Sequence, residues 1–384
     1  MESVFEEIAG FIKEQYPGKK FIPLHAPVFN GNERKYVMDT LDSTFVSSVG
    51  AYVDRFEQMM CDITGARYAI AIVNGTNALH LALLLAGVER NDEVISQSLT
   101  FIATCNAISY IGAKPVFVDI DKDTLGLSPA ALEQFLNENA TIGSDGFAYN
   151  NKTKRRIKAC VPMHTFGFPC RIDEIAAICT KWNIDLIEDA AESIGSYYKG
   201  KHTGIFGKIG TFSFNGNKVV TSGGGGALVT NDEKLAKHAK HLSTQAKIAH
   251  PWAFMHDEVG YNYRMPNLNA ALACAQLEQL PAFVDNKRAL AQLYKSKFEA
   301  LNMNFHTELP DTRANYWLNV LMLDSKEQQQ QFLAYMNSNG VMSRPVWELM
   351  HRLPMFENEE RACLTNSEWV ADRLVNIPSS VRYE

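Results

Sequence analysis

Ile-Asp-Leu-Ile-Glu-Asp-Ala-Ala-Glu-Ser at 184–193, Gly-Thr-Phe-Ser-Phe-Asn-Gly-Asn-Lys at 210–218 and Ser-Gly-Gly-Gly-Gly-Ala-Leu-Val-Thr at 222–230 decide how this chain folds. Residues 184–187 are a short β-branched and aliphatic run that reads as a buried parallel strand, delivering Glu188 and Asp189 to the carboxyl edge of a sheet. Open α/β sheets bind ligands at that edge. Residues 209–214 read as the next strand, which breaks at Asn215-Gly216-Asn217, a turn signal that carries Lys218 out of the sheet. Asp189 and Lys218 are therefore placed toward one pocket. The four glycines before the strand at 227–230 let backbone pass close to a ligand or a second subunit.

Upstream, residues 68–73 form a continuous apolar strand, followed by Asn74-Gly75-Thr76-Asn77 and a helix over 78–86 that is apolar nearly all round. Free N–H groups at such a helix N-terminus, with the Thr76 hydroxyl, make an anion site. Taken singly, each of these features has a plainer reading. An Asp at a strand end is more often a helix cap, a Lys in a turn is usually solvated, and a Gly-Thr junction occurs in almost any α/β protein. Together they are an amine that can form a Schiff base with an aldehyde, an acid that can keep a pyridine nitrogen protonated, and a phosphate cradle. Pyridoxal phosphate is the cofactor that uses all three.

The α/β rhythm runs through the first two thirds of the chain, with strands at 93–97, 115–118 and 159–163 and helices at 101–111, 129–136 and 172–182. Ser128 caps the middle helix and Pro129 opens it. Strands alternating with helices imply a mostly parallel, doubly wound sheet. Helices are also expected at 3–15, 32–41 and 52–63, the last closed by Gly65. Residues 139–156 read as a polar, then basic, surface excursion that could reach an anionic ligand. Beyond 230 come a basic helix at 233–242, a loop at 244–258, a helix at 268–280 stopped by Pro281, and a long helix beginning near Phe283. A strand at 316–323 and a helix at 326–337 follow. At 384 residues the chain is too long for one small core. The expected division is an N-terminal arm and large cofactor-binding domain over 1–250, and a smaller C-terminal domain with its linking helix over 251–384.

Forty-three acids against 37 bases, a net charge of -6, argue against nucleic acid as the main partner. Seven scattered cysteines, with no C-x-x-C pair, suggest neither a disulfide framework nor a metal site. The acidic start lacks a basic region followed by a long apolar run, and no stretch stays apolar long enough to span a membrane, so a cytoplasmic location is expected. The glycine run is not G-x-G-x-x-G opening a helix, and Gly195 to Lys201 is followed by His202 where a P-loop needs Ser or Thr; Tyr197 to Lys201 reads as a hairpin. His164, after a buried strand, reads equally as a structural or a catalytic histidine.

Taken in order, Asn74-Gly75-Thr76-Asn77-Ala78-Leu79, Thr100-Phe101-Ile102-Ala103-Thr104, Glu188-Asp189-Ala190-Ala191-Glu192, Phe212-Ser213-Phe214 before Lys218, the glycine run and Gly260-Tyr261-Asn262-Tyr263-Arg264-Met265 resemble the DegT/StrS family of pyridoxal-phosphate sugar aminotransferases. The resemblance covers nearly all of the chain from about Leu24. Within the family, Phe214-Asn215-Gly216-Asn217-Lys218 and Glu192 resemble the branch that aminates nucleotide-linked 4-keto-6-deoxy sugars toward bacillosamine or legionaminic acid.

The resemblance implies a type I aminotransferase fold, a large mostly parallel sheet domain with a smaller C-terminal α+β domain, working as a homodimer with shared active sites. It makes Lys218 the Schiff-base lysine and proton carrier and Asp189 the partner of the pyridinium nitrogen. Phe101 and Ala191 would flank the ring, Gly75, Thr76 and Ser213 would hold the phosphate, and Asn262 would reach it from the partner subunit. Glu192 would lie near the amino-group site. For substrate, Glu192, His164, Arg344, Trp347 and His351 are candidates, with the basic excursion at 139–156 as a possible diphosphate contact. The expected reaction moves the amino group of L-glutamate to the C4 ketone of a nucleotide-linked 4-keto-6-deoxy (N-acetyl)amino sugar. The competing readings are amination of a 3-keto sugar or cyclitol, and a non-catalytic regulator that binds the cofactor or nucleotide sugar.

Overall fold

The structure, a computed structural model, describes residues 2–382. Seven strands form the main path of the large sheet: β1 (Tyr68–Ile72), β2 (Glu93–Gln97), β3 (Lys114–Val118), β4 (Arg156–Val161), β5 (Asp185–Asp189), β6 (Ile209–Ser213) and β7 (Gly226–Thr230). Their order across the sheet is β1-β7-β6-β5-β4-β2-β3. Neighbours from β6 through β3 are parallel, whereas β7 runs antiparallel to both β6 and β1. Every residue of β2 and β7 is buried, as strands covered on both faces require. Leu79, Leu83, Ala107 and Ile108 pack in a core on one face, and Leu132, Phe135, Ile175 and Ile178 in a core on the other.

Most elements lie within a few residues of where the sequence puts them, and the differences have local causes. The helix expected from Ala78 spans Gly75–Leu85, because the Asn74 side chain accepts the Asn77 N–H at 2.8 Å and caps it. The apparent tight turn is the helix's own first turn. Pro281 does not stop a helix. One helix ends at Glu278 and the next, Leu280–Ala300, carries Pro281 in its first turn, where a missing N–H costs nothing.

The excursion at 139–156 folds as a hairpin, Ala140–Ile142 with Ala148–Asn150, and pairs with the first residues of β4. That is the amino edge of a parallel strand. Arg156 and Lys152 there pair with Asp92 and Glu360. The idea that this basic segment reaches a diphosphate at the carboxyl edge is therefore corrected: it sits at the wrong end of the strands, with these two cations already paired.

A second sheet, all antiparallel, orders Asn304–Phe305, Asn319–Met322, Leu374–Ile377 and Arg344–Pro345. The helix Lys326–Ser338 packs beside it, and the first helix, Glu2–Glu14, lies on that helix through Phe5 edge-on to Phe332 at 5.3 Å. The helix Asn267–Glu278, by contrast, packs on Glu33–Asp42 and Ala51–Thr64. We propose that the smaller unit takes the N-terminal helix and begins after Glu278, which moves both ends of the division expected from the sequence. Among the described residues, no helix is long and apolar enough to cross a membrane.

Strand β7 lies against the N-terminus of the Gly75–Leu85 helix so closely that a Cβ on Gly226 would stand 2.5 Å from the Asn74 carbonyl atoms and 2.8 Å from the Gly75 nitrogen. Backbone cannot retreat there without breaking the ladders to β1 and β6. Gly226→Ala is expected to destabilise the fold by about 2 kcal/mol or more, read by denaturant unfolding; a stability within about 0.5 kcal/mol of the parent would show that the sheet can yield at this point.

Candidate active site

The carboxyl edge of the large sheet opens into a cavity of about 300 Å³. Gly75, Thr76, Phe101, Asp189, Ala191, Glu192, Ser213 and Lys218 all line it, together with Trp347. All but Trp347 come from four separate strand ends. The helix after β1 brings Gly75 and Thr76, the start of the Ile102–Tyr110 helix brings Phe101, β5 ends in Asp189 with Ala191 and Glu192 just beyond, and β6 ends in Ser213 with Lys218 on the turn that follows.

Asp189 is 2% exposed. Its Oδ2 accepts the Thr104 hydroxyl at 2.7 Å and its Oδ1 the Ala191 N–H at 3.2 Å. Burial raises its pKa, against these donors and the Lys218 charge, which lower it. Glu192, equally buried, accepts from Lys218 Nζ at 3.1 Å through Oε1 and from the Phe166 N–H at 2.8 Å through Oε2. Burial lifts its pKa to about 7, with Lys218 the chief opposing influence. The Lys218 Nζ also lies 4.0 Å from the centroid of the Trp317 ring, whose Nε1–H donates to the Asn217 carbonyl at 2.7 Å.

Several expected substrate residues are elsewhere. His164 is fully buried behind the cavity, its Nε2 3.0 Å from Glu188 Oε2. Glu188 also accepts the N–H groups of Gly204, Phe206 and Gly207 at 2.6–2.7 Å. Burial works against the Glu188 charge. His164 and the glycine amides nevertheless hold Glu188 low. The Cys170 N–H donates to Nδ1 at 3.3 Å, so the ring proton sits on Nε2 and is donated to the Glu188 carboxylate. His164 is thus corrected from a substrate contact to a buried hydrogen-bond partner of Glu188.

His351 is buried beside Ser98, Nδ1 to Oγ at 2.7 Å, and Arg344 is exposed on an edge strand near Asn337; neither lines the cavity. Asn262 is exposed and bridges Thr244, outside the cavity of its own chain. Trp347 does line it, tilted over Phe101 at 5.7 Å and Phe166 at 5.0 Å. Thr104 and Trp317 were not foreseen as site residues. Thr104 stood inside a motif quoted above, three residues after Phe101 on the first turn of a helix, which is the one local signal that could have found it.

The donor set suits a phosphorylated pyridine aldehyde by its own chemistry. The Gly75 and Thr76 amides, in a helix's first turn, have no acceptor within the helix, and Ser213 faces them so closely that a Cβ on residue 75 would be 2.8 Å from the Ser213 Cβ. A buried carboxylate and a primary amine share the same cavity. Residues 28–384 match the DegT/DnrJ/EryC1/StrS aminotransferase family. The GDP-perosamine synthase of Escherichia coli O157:H7 is 39% identical over 94% of this chain and 93% of its own, and that of Vibrio cholerae 36% over 93% and 94%. Among solved structures, an aminotransferase from Psychrobacter cryohalolentis superposes with a TM-score of 0.81 at 27% identity, covering 94% of this chain and 93% of that one.

The raised pKa of Glu192 has a sign that can be checked. Its folded value, about 7, lies above the ordinary 4.5, so the proton it keeps on folding stabilises fully below that lower value and is lost as pH rises through the higher one. The melting temperature of Glu192→Gln apoprotein, relative to the parent, is therefore expected to be higher at about pH 8 than at about pH 5. Equal differences at the two pH values would show that Glu192 titrates normally.

Proposed function

Because the chain belongs to the DegT/DnrJ/EryC1/StrS aminotransferase family and is a pyridoxal-phosphate-dependent aminotransferase, we propose that it carries the amino group of L-glutamate to the C4 ketone of a nucleotide-linked 4-keto-6-deoxy sugar bearing an acetamido group. The observation that carries this reading is the buried Lys218 amine and Asp189 carboxylate sharing one cavity at a helix N-terminus. Relatives that are 4-aminotransferases support C4 over C3 or a cyclitol ketone. The same relatives favour a second reading of the sugar, a GDP-linked 4-keto-6-deoxyhexose with no acetamido group.

When bound, pyridoxal phosphate supplies an electron sink for the carbon next to the substrate nitrogen. The chain's part is positioning and proton control. Gly75 and Thr76 donate their amides, and Ser213 its hydroxyl, to the phosphate, where the helix N-terminus favours negative charge. Asp189, fixed by Thr104 and Ala191, holds the proton of the pyridine nitrogen. Phe101 and Ala191 confine the ring from opposite faces. Lys218 Nζ, once free, would take a proton from the substrate carbon and deliver it to the cofactor carbon on the other side of the shared nitrogen. Glu192 lies beside the amino-group site and Trp347 closes the sugar side. In a homodimer, Asn262 of the partner subunit would complete the phosphate contacts.

Transfer of label from 15N-glutamate to a panel of 4-keto nucleotide sugars, GDP- and UDP-linked, with and without acetamido, tests the whole reading. Amination of an acetamido sugar on either nucleotide is the expected result, amination of only the GDP-linked hexose would establish the second reading, and label on neither would refute the C4 assignment. Lys218→Ala should abolish turnover; full activity in that variant would remove the lysine from the mechanism. Thr104→Val takes a donor from the Asp189 carboxylate and is expected to weaken pyridoxal phosphate binding about tenfold, since a hydrogen bond to a charged group contributes roughly 1.5 kcal/mol or more. An unchanged Kd would show that Ala191 alone suffices.

A further inference from the structure

We propose that Glu192 and Trp317 form a dock for the free Lys218 ammonium, holding the lysine within the cavity whenever it is not joined to the cofactor; the proposal rests on the reading of Lys218 as the reactive lysine. A transaminating lysine is released in each half-reaction. It then becomes a flexible cation at the end of a four-carbon stem, and its next proton transfer depends on where that cation rests.

Two independent contacts on Nζ define the resting place. Glu192 Oε1 accepts from it at 3.1 Å, and the face of Trp317 lies 4.0 Å away. Both partners are fixed from behind. Glu192 Oε2 is held by the N–H of Phe166, a residue in the left-handed conformation, φ 57°. The Trp317 indole is anchored to the Asn217 carbonyl, one residue before the lysine, and the Trp317 carbonyl accepts both the Ser379 hydroxyl and the buried Lys287 amine. Glu192 is the only carboxylate bonded to Nζ among the described residues. The other charged and titratable groups that face Lys218 are Asp189, on the end of β5, and His25, on the N-terminal segment, which itself faces Lys287.

A carboxylate and an indole face both stabilise the protonated amine. Removing either frees the amine from its resting place, so that it reacts faster with an added electrophile. Contacts that served only the bound cofactor would leave the apoprotein lysine unaffected.

The test is the rate at which cyanate modifies Lys218 in apoprotein at about pH 8, quantified by peptide mass spectrometry against the exposed Lys35 as internal standard. Glu192→Gln, which keeps an acceptor for the Phe166 N–H, is expected to raise the Lys218 rate about tenfold, the size of effect that follows loss of a hydrogen bond between charged groups. Glu192→Asp, which keeps the charge, should recover most of the parent rate, and Trp317→Leu should raise it several-fold. A Glu192→Gln rate within about twofold of the parent would overturn the dock whatever the other variants do. Uptake of pyridoxal phosphate by the parent, seen as a visible absorption band, tests the underlying reading of Lys218 separately.

Discussion

Three carboxylates within residues 188–192 are each 2% exposed or less, and the rest of the molecule depends on how they are answered. An ion taken out of water costs several kcal/mol unless it is paired and hydrogen-bonded. Each acid here has its own set of donors. Glu188 is met by His164 and three amides of the 204–207 loop, Asp189 by Thr104 and Ala191, and Glu192 by Lys218 and Phe166. These donors come from beside β2, β4 and β6, so the sheet order and the chemistry are one constraint seen twice. Glu188 and His164 close on each other and are finished. Asp189 and Glu192 still face the cavity, which is what makes them useful.

Much of this could be read from residue order. The strand ending at Asp189, the turn carrying Lys218 and the glycine run preceding β7 are local patterns, and hydrophobic periodicity reports local structure well. Residue order puts the helix that begins at Gly75 three residues late, because Asn74 suits a turn as well as it suits a cap. Pro281 suits a stop as well as a start for a similar reason: a proline punctuates a helix boundary without saying which side it belongs to.

What the sequence did not yield is contact across distance. Nothing near Trp317 in the chain indicates that its ring lies under a lysine some hundred residues earlier, and nothing near Thr104 names Asp189 as its partner. Arg344 and His351 share a segment with Trp347, yet only Trp347 lines the cavity. The backbone there runs along a sheet edge, sending Arg344 to solvent and His351 back to Ser98. Charge and aromatic content identified the segment; side-chain direction had to be seen. The basic excursion failed for a related reason, since a strand has two ends and composition does not say which one a neighbouring loop occupies.

The one reversed strand on the main path of the sheet has a consequence for how the protein is made. Among the described residues β7 is the only strand that pairs with β1, with Tyr68 paired to Thr230, so β1 lacks its strand partner until the chain has been synthesised past residue 230. The strands between them can meet one another earlier, in the order in which they leave the ribosome, but the proposed phosphate cradle needs β7 between β1 and β6. On topology alone, that seam is the last the sheet's main path can complete. During that interval the nascent chain carries an exposed strand edge and the apolar helix 75–85 behind it, the kind of surface that recruits chaperones.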